Sequence, residues 1–246
     1  MQSCEKYSES LSDYKHLLVW NINAPLHQAV LNFLGRTKDP SVLVGEHINI
    51  EECELEWKRT GNKMALFQSQ LFGMIVAYYF HNHKLAEHHI KQFRPGLYDD
   101  GPDILVPLRY FYTCLVYLSR FHASRKRVYK QKIRAILQQF RKWVDEGAVN
   151  CYHMDLLMKA ELLSVSSATR DAIEQAYNKA IESAADSGMR QHHALANELA
   201  GSYSYRLTDL SRARLHLTKA RDLYREWEAT AKVKELENRF SELFSS

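Results

Sequence analysis

Apolar residues along this chain recur at spacings of three and four almost everywhere. No segment sustains the alternation of two that marks a half-buried strand. The spacing predicts helices over 4–18, 24–34, 49–59, 63–81, 84–94, 104–122, 124–146, 151–165, 169–187, 190–206, 209–227 and 229–243. The breaks between them carry turn chemistry: "GRTKDP" after Leu34, "TGN" at Thr60, "RPGLYDDGP" from Arg94, "DEG" at Asp145 and "DSG" at Asp186. Gly147 and Gly188 fall where a helix C-terminal cap is expected. The strongest apolar run, "LFGMIVAYYF" from Leu71 to Phe80, is about half the roughly 20 residues that a membrane span needs, so it reads as a buried helix.

One stretch poses a packing problem. "ALANELAGSYSYRL", Ala194 to Leu207, crowds Ala194, Ala196, Ala200, Gly201, Ser202 and Ser204 into one predicted helix. Glycine in a helix interior costs roughly 1 kcal/mol against alanine, so Gly201 implies a close neighbour. Reading the helices in pairs supplies one. Ala200 with Tyr203 is followed by Ala213, Leu217 and Ala220 on the next helix. Gly73 with Phe72 and Val76 is followed at the same offsets by Ala86, Ile90 and Phe93. Ala160 with Leu156 and Leu163 is followed by Ile173, Tyr177 and Ala180. A looser copy has Cys114 with Tyr110 and Tyr117, then Ile133, Leu137 and Phe140.

The small positions Gly73, Cys114, Ala160 and Ala200 recur every 40 to 46 residues, the mark of a divergent helical-hairpin repeat. The expected fold is all-α: a superhelical solenoid of roughly six antiparallel, tetratricopeptide-like hairpins. No stretch has linker composition, so a single domain over 1–246 is expected. A bulky residue at Ala200 should overpack its hairpin by roughly 1–3 kcal/mol.

Composition adds little against this picture. The 246 residues are 46% hydrophobic and 25% charged, and only 9 Gly and 5 Pro are present, in keeping with long regular segments. A net charge of +4 neither demands nor excludes an acidic partner. Cys4, Cys53, Cys114 and Cys151 are scattered, with no C-x-x-C, which fits a reducing, cytoplasmic setting. The start, "MQSCEKYSES", lacks the apolar stretch of a signal peptide.

"HHALANELAGSYSYRLTDLSRARLHLTKARDLYREWEATAKVKELE" resembles a segment of large multidomain signalling kinases. Ala213, Tyr224, Trp227, Ala231, Lys232 and Val233 carry the likeness beyond "ALANELAG". "PLHQAVLNFLG" and "ALFQSQLFGMIVAYYF" look like earlier landmarks of the same region. In that family a Ser/Thr-kinase-like domain and a regulatory P-loop ATPase precede the helical repeats, and a GAF sensor and a histidine kinase follow. The resemblance implies a non-catalytic segment, without cofactor or metal, whose partners are proteins or peptides, neighbouring domains of the same polypeptide among them. Tyr7, Leu11, Tyr14, Leu17 and Leu18 leave the first predicted helix uncapped, which suggests a missing neighbour or self-association there.

Catalytic and ligand motifs are sparse. No G-x-x-x-x-G-K-[ST] loop, kinase signature or G-x-S-x-G occurs. "TGNKMA" around Lys63 has one Gly before its Lys and no preceding strand, so it reads as a helix turn. His81, His83, His88 and His89 form a cluster whose spacing matches no standard zinc set, and a hairpin tip is the expected reading. His192 and His193 open a helix and are read as capping or packing. Glu46, Glu51, Glu52, Glu54 and Glu56 sit near a helix start, where carboxylates suit the dipole. Tyr78, Tyr79, Phe80, Tyr110, Phe111, Tyr112, Phe121 and Trp143 are read as core.

The strongest charge feature is a run without any acidic residue from Ile104 to Val144. It holds Arg109, Arg120, Arg125, Lys126, Arg127, Lys130, Lys132, Arg134, Arg141 and Lys142. Arg127, Lys130 and Arg134 share one helix side, with Arg141 one heptad beyond. Such a stripe reads as the solvated face of an outer helix or as a docking face for phosphates or an acidic segment of a partner, with Arg125, Arg127, Lys130, Arg134 and Arg141 as the candidate partner-binding residues; specific nucleic-acid binding is disfavoured because no reading motif accompanies the charge.

Overall fold

In the computed structural model the described residues are 17–45, 48–93 and 105–244. They are helical throughout, with an isolated bridge between Val44 and Asn49 in place of any strand. None of their helices is long and apolar enough to cross a membrane. The chain divides into two compact units, 1–102 and 103–246.

The first unit contains α1 (Leu17–Phe33), α2 (Ile50–Thr60), α3 (Lys63–Tyr79) and α4 (His83–Gln92). Helix α3 is the hub, packing against α1, α2 and α4. It is apolar on nearly every side, as a buried helix must be, with Leu71, Met74, Val76 and Ala77 fully enclosed. Asn62 caps it by accepting from the Ala65 N–H at 3.1 Å, and Asn82 caps α4 by accepting from Leu85 at 3.2 Å. "TGNKMA" is thus a helix-to-helix turn, with Gly61 at φ +69°. The link after α1 is anchored by buried Asn32, whose amide donates to the Pro40 and Val42 carbonyls at 3.0 and 2.7 Å.

One boundary differs from expectation. Helix α1 begins at Leu17, not at residue 24, and runs through Pro25. Proline removes one backbone donor and usually ends a helix. Here burial of Ala24, His27, Gln28, Ala29, Leu31 and Asn32 holds the segment helical on both sides of it. The helix expected over 4–18 lies almost wholly outside the described residues.

The second unit contains α5 (Leu105–Ser124), α6 (Arg127–Asp145), α7 (Val149–Ser164), α8 (Arg170–Asp186), α9 (Arg190–Arg206), α10 (Leu210–Glu226), α11 (Thr230–Arg239) and a final turn, α12 (Ser241–Phe244). Consecutive helices pack on one another, and α7 also touches α5 and α9. Cys114, Ala160 and Ala200 are each no more than 3% exposed. On the helices that follow, Ile133, Phe140, Ile173, Tyr177, Ala180, Ala213, Leu217 and Ala220 are buried as well, as are Gly73 and Ala86 in the first unit.

The close neighbour of Gly201 is the next helix: a Cβ there would meet Leu217 Cγ at 2.7 Å and the Leu217 backbone N at 3.1 Å. Gly73 makes room instead for the His89 imidazole, 2.6 Å from where its Cβ would stand. Gly147 and Gly188 take φ +91° and +70° just past α6 and α8, the left-handed helix stop that glycine permits.

Candidate interaction surface

Among the described residues the most amphipathic helix is α6. Tyr129, Ile133, Ile136 and Phe140 are buried along one side, and Trp143 packs edge-on to Tyr110 and Phe140 at 5.3 and 5.2 Å. At 100° per residue, Arg127, Arg134 and Arg141 lie about 150°, 130° and 110° from the middle of that side and Lys130 about 90°, and all four are exposed. Among the described residues none of the four makes an ion pair. Several basic residues elsewhere are neutralised locally: Arg59 by Glu56, Lys159 by Asp155, Arg170 by Glu174 and Asp209, Arg212 by Glu174, Arg225 by Asp222 and Glu237.

The start of α6 reinforces the contrast. Its cap residue is Lys126, no side chain caps it, and no acid stands in its first turn. Positive charge at the positive end of a helix dipole is unfavourable. An anionic partner would relieve it.

Not every basic residue of the run joins this face. Arg109 is 8% exposed, its guanidinium 4.9 Å from the Tyr110 ring centre. Lys132 turns back to the Tyr117 ring, 4.8 Å from its centre. Arg125 is exposed but committed: it sits at φ +53°, donates to the Val165 carbonyl at 2.6 Å and so ties the α5–α6 turn to the end of α7. Arg127, Lys130, Arg134 and Arg141, by contrast, have no partner among the described residues and form the uncommitted part of the cationic face.

Two buried polar constellations have no counterpart in the sequence reading. His153 of α7 and His192 of α9 share a hydrogen bond, Nε2 to Nδ1 at 2.8 Å, and are 3% and 1% exposed. Phe111 and Tyr112 of α5 lie against His192 with ring centres 5.0 and 6.0 Å away. Burial pushes both imidazoles down, His153 to about 4 and His192 to about 3, so both are neutral. With one proton each, one donates and the other accepts, and the outward nitrogens, His153 Nδ1 and His192 Nε2, have no partner.

Further along, Glu198 is 2% exposed and Lys232 fully enclosed. Glu198 accepts from the Tyr224 hydroxyl at 2.6 Å, Lys232 at 2.9 Å and Arg239, while Lys232 also reaches Glu235 at 2.6 Å. Lys232 did leave a signal, since it stands on the apolar stripe of Ala229, Val233 and Leu236. The two histidines left none, being 39 residues apart.

The remaining candidates are dispersed. A groove of about 560 Å³ between α7 and α8 is lined by Val149, Tyr152, Leu156, Lys179 and Glu182 among others, and mixes apolar with both signs of charge. His81, His83, His88 and His89 do not bring three donor atoms together. Glu54 accepts from Ser69, Gln70 and Lys58, Glu52 accepts from Asn49 and Glu56 pairs with Arg59, so these three carboxylates have partners within the fold, while Glu46 lies outside the described residues. Of the eight aromatics expected in the core, Tyr78, Tyr79, Phe111 and Tyr112 are buried, and Phe80, Tyr110, Phe121 and Trp143 half-buried. Comparison with protein-family models, with curated proteins and with solved structures returned no match.

Proposed function

We propose that the chain is a non-catalytic interaction and regulatory scaffold. It is a tetratricopeptide-like superhelical solenoid that links ATPase and sensor or kinase modules of a signal-transduction protein. The observation that carries the reading is the recurrence of one hairpin contact: Gly73, Cys114, Ala160 and Ala200 are buried small residues, each followed by a helix that packs against its own. Repeats of this kind build extended surfaces that hold a peptide or a neighbouring domain. The signalling context rests on the resemblance carried by "ALANELAG" and the residues after it. An immunoblot of source lysate tests it first. A band several times larger than 28.7 kDa is expected, and deletion of residues 150–246 from that protein should alter its output. A band near 28.7 kDa, or an unchanged output, sinks the linking role.

A second reading is favoured by the uncompensated face of α6: a free-standing adaptor that captures an acidic partner there. Reversal of Arg127, Lys130 and Arg134 to Glu should abolish capture while circular dichroism and the melting temperature stay near wild type, since these side chains touch nothing in the core. Undiminished capture would remove α6 from the binding surface.

A further inference from the structure

The cations of α6 are ordered as well as exposed. Arg127, Arg134 and Arg141 stand one heptad apart, so their Cα atoms step along the axis by about 10.5 Å each time. Gln131 and Gln138 fall between them on the same exposed side. The stripe ends at Asp145, the first acid after 41 acid-free residues from 104 to 144, and Lys142 beyond Arg141 is already paired with Glu146 at 3.9 Å. Three of the four cations are arginine, whose planar fork grips a carboxylate with two parallel hydrogen bonds.

A surface that only attracted anions would need no such period. A helix laid along α6 has it built in, because carboxylates seven residues apart on a partner helix repeat at the same rise. Resting on the reading that this face docks an acidic partner, we propose that the partner is an α-helix carrying Asp or Glu at seven-residue spacing. It lies along Arg127, Arg134 and Arg141, with glutamines 131 and 138 at the seam.

The test uses the full chain and two synthetic helical peptides of identical composition. One carries Glu at i, i+7 and i+14 on one face, the other the same Glu residues distributed around the helix. Fluorescence anisotropy near physiological salt should show the aligned peptide binding about tenfold or more tighter than the permuted one, and R134Q should remove that advantage. Equal affinity for the two peptides, no binding of the aligned one, or a preference for a duplex RNA of about 20 base pairs overturns the proposal. The triple reversal R127E/K130E/R134E separates the two levels. If it leaves peptide binding intact, the face is not a docking surface and the adaptor reading falls too. If it abolishes binding that never distinguished the peptides, only the helix match falls.

Discussion

A methyl group added at Gly201 would press on both the side chain and the backbone of Leu217, which is itself fully buried. Backbone cannot swing aside as a flexible side chain can, so Gly201→Ala should destabilise by roughly 1–3 kcal/mol, read as a lower urea midpoint with unchanged slope. An unaltered midpoint would mean that α9 and α10 separate more freely than their contact implies. The buried imidazoles give a second expectation at this scale. His153 and His192 titrate near 6.5 when unfolded but at about 4 and about 3 when folded. Below pH 6.5 the unfolded chain therefore takes up protons that the native one refuses. Stability is complete above that pH and falls as the solution is acidified toward about 4. Melting temperatures across this window should decline, and His153→Gln should flatten the decline; a flat wild-type profile would mean that water reaches the pair. Gly201 was legible because a helical glycine is anomalous wherever it stands. The histidine pair was not, because nothing local in "CYHMD" or "RQHHA" marks the two residues as neighbours.

Among the elements, α9 runs over 190–206 as its spacing predicts, and most others shift by one to three residues. Caps mark the starts of α3, α4, α8 and α10, where Asn62, Asn82, Thr169 and Asp209 each accept from a backbone N–H three residues on; α9, behind Met189, has no such cap. Stops were harder to read, since only some carry glycine. Thr208, just past α9, holds φ +59° although it is β-branched, a conformation that costs an L-residue roughly 1–2 kcal/mol. Thr208→Gly should recover about 0.5–1 kcal/mol after the extra chain entropy of glycine, seen as a higher melting temperature; a lower one would show that its side chain supports the turn. The clamp on α11 is larger in effect. Glu198→Ala would leave the enclosed Lys232 with Glu235 as its remaining carboxylate and take one from Arg239, and should cost roughly 3–5 kcal/mol. The double variant Glu198→Ala/Lys232→Met, which removes both charges, should regain part of that loss. If the double variant is no better than the single, Lys232 is neutralised by Glu235 alone.

For the molecule as a whole, charge placement was the most legible functional feature. Sign and helical phase both survive in one dimension, so the spacing of Arg127, Arg134 and Arg141 carried over to an exposed stripe. Arg109 and Arg125 belong to the same basic run, yet tertiary contacts withdraw them, one into the core beside Tyr110 and the other to the Val165 carbonyl. No linear pattern distinguishes them from their neighbours. The mild net charge of +4 likewise conceals the local field, because cations such as Arg170 and Arg212 sit beside a carboxylate while Arg127, Lys130, Arg134 and Arg141 do not.

In the second unit nearly every helix finds its companions one or two places along the chain, while the contact of Phe111 with His192 spans 81 positions. Short-range closure demands little loop entropy, so hairpins can form as soon as both of their helices have left the ribosome, each templating the next. The aromatic–imidazole junction must wait until α9 has been synthesised. If it forms after the local hairpins, substitutions at Phe111 should raise the unfolding rate and leave the folding rate nearly unchanged in stopped-flow chevrons; an equal effect on folding would place the junction in the nucleus.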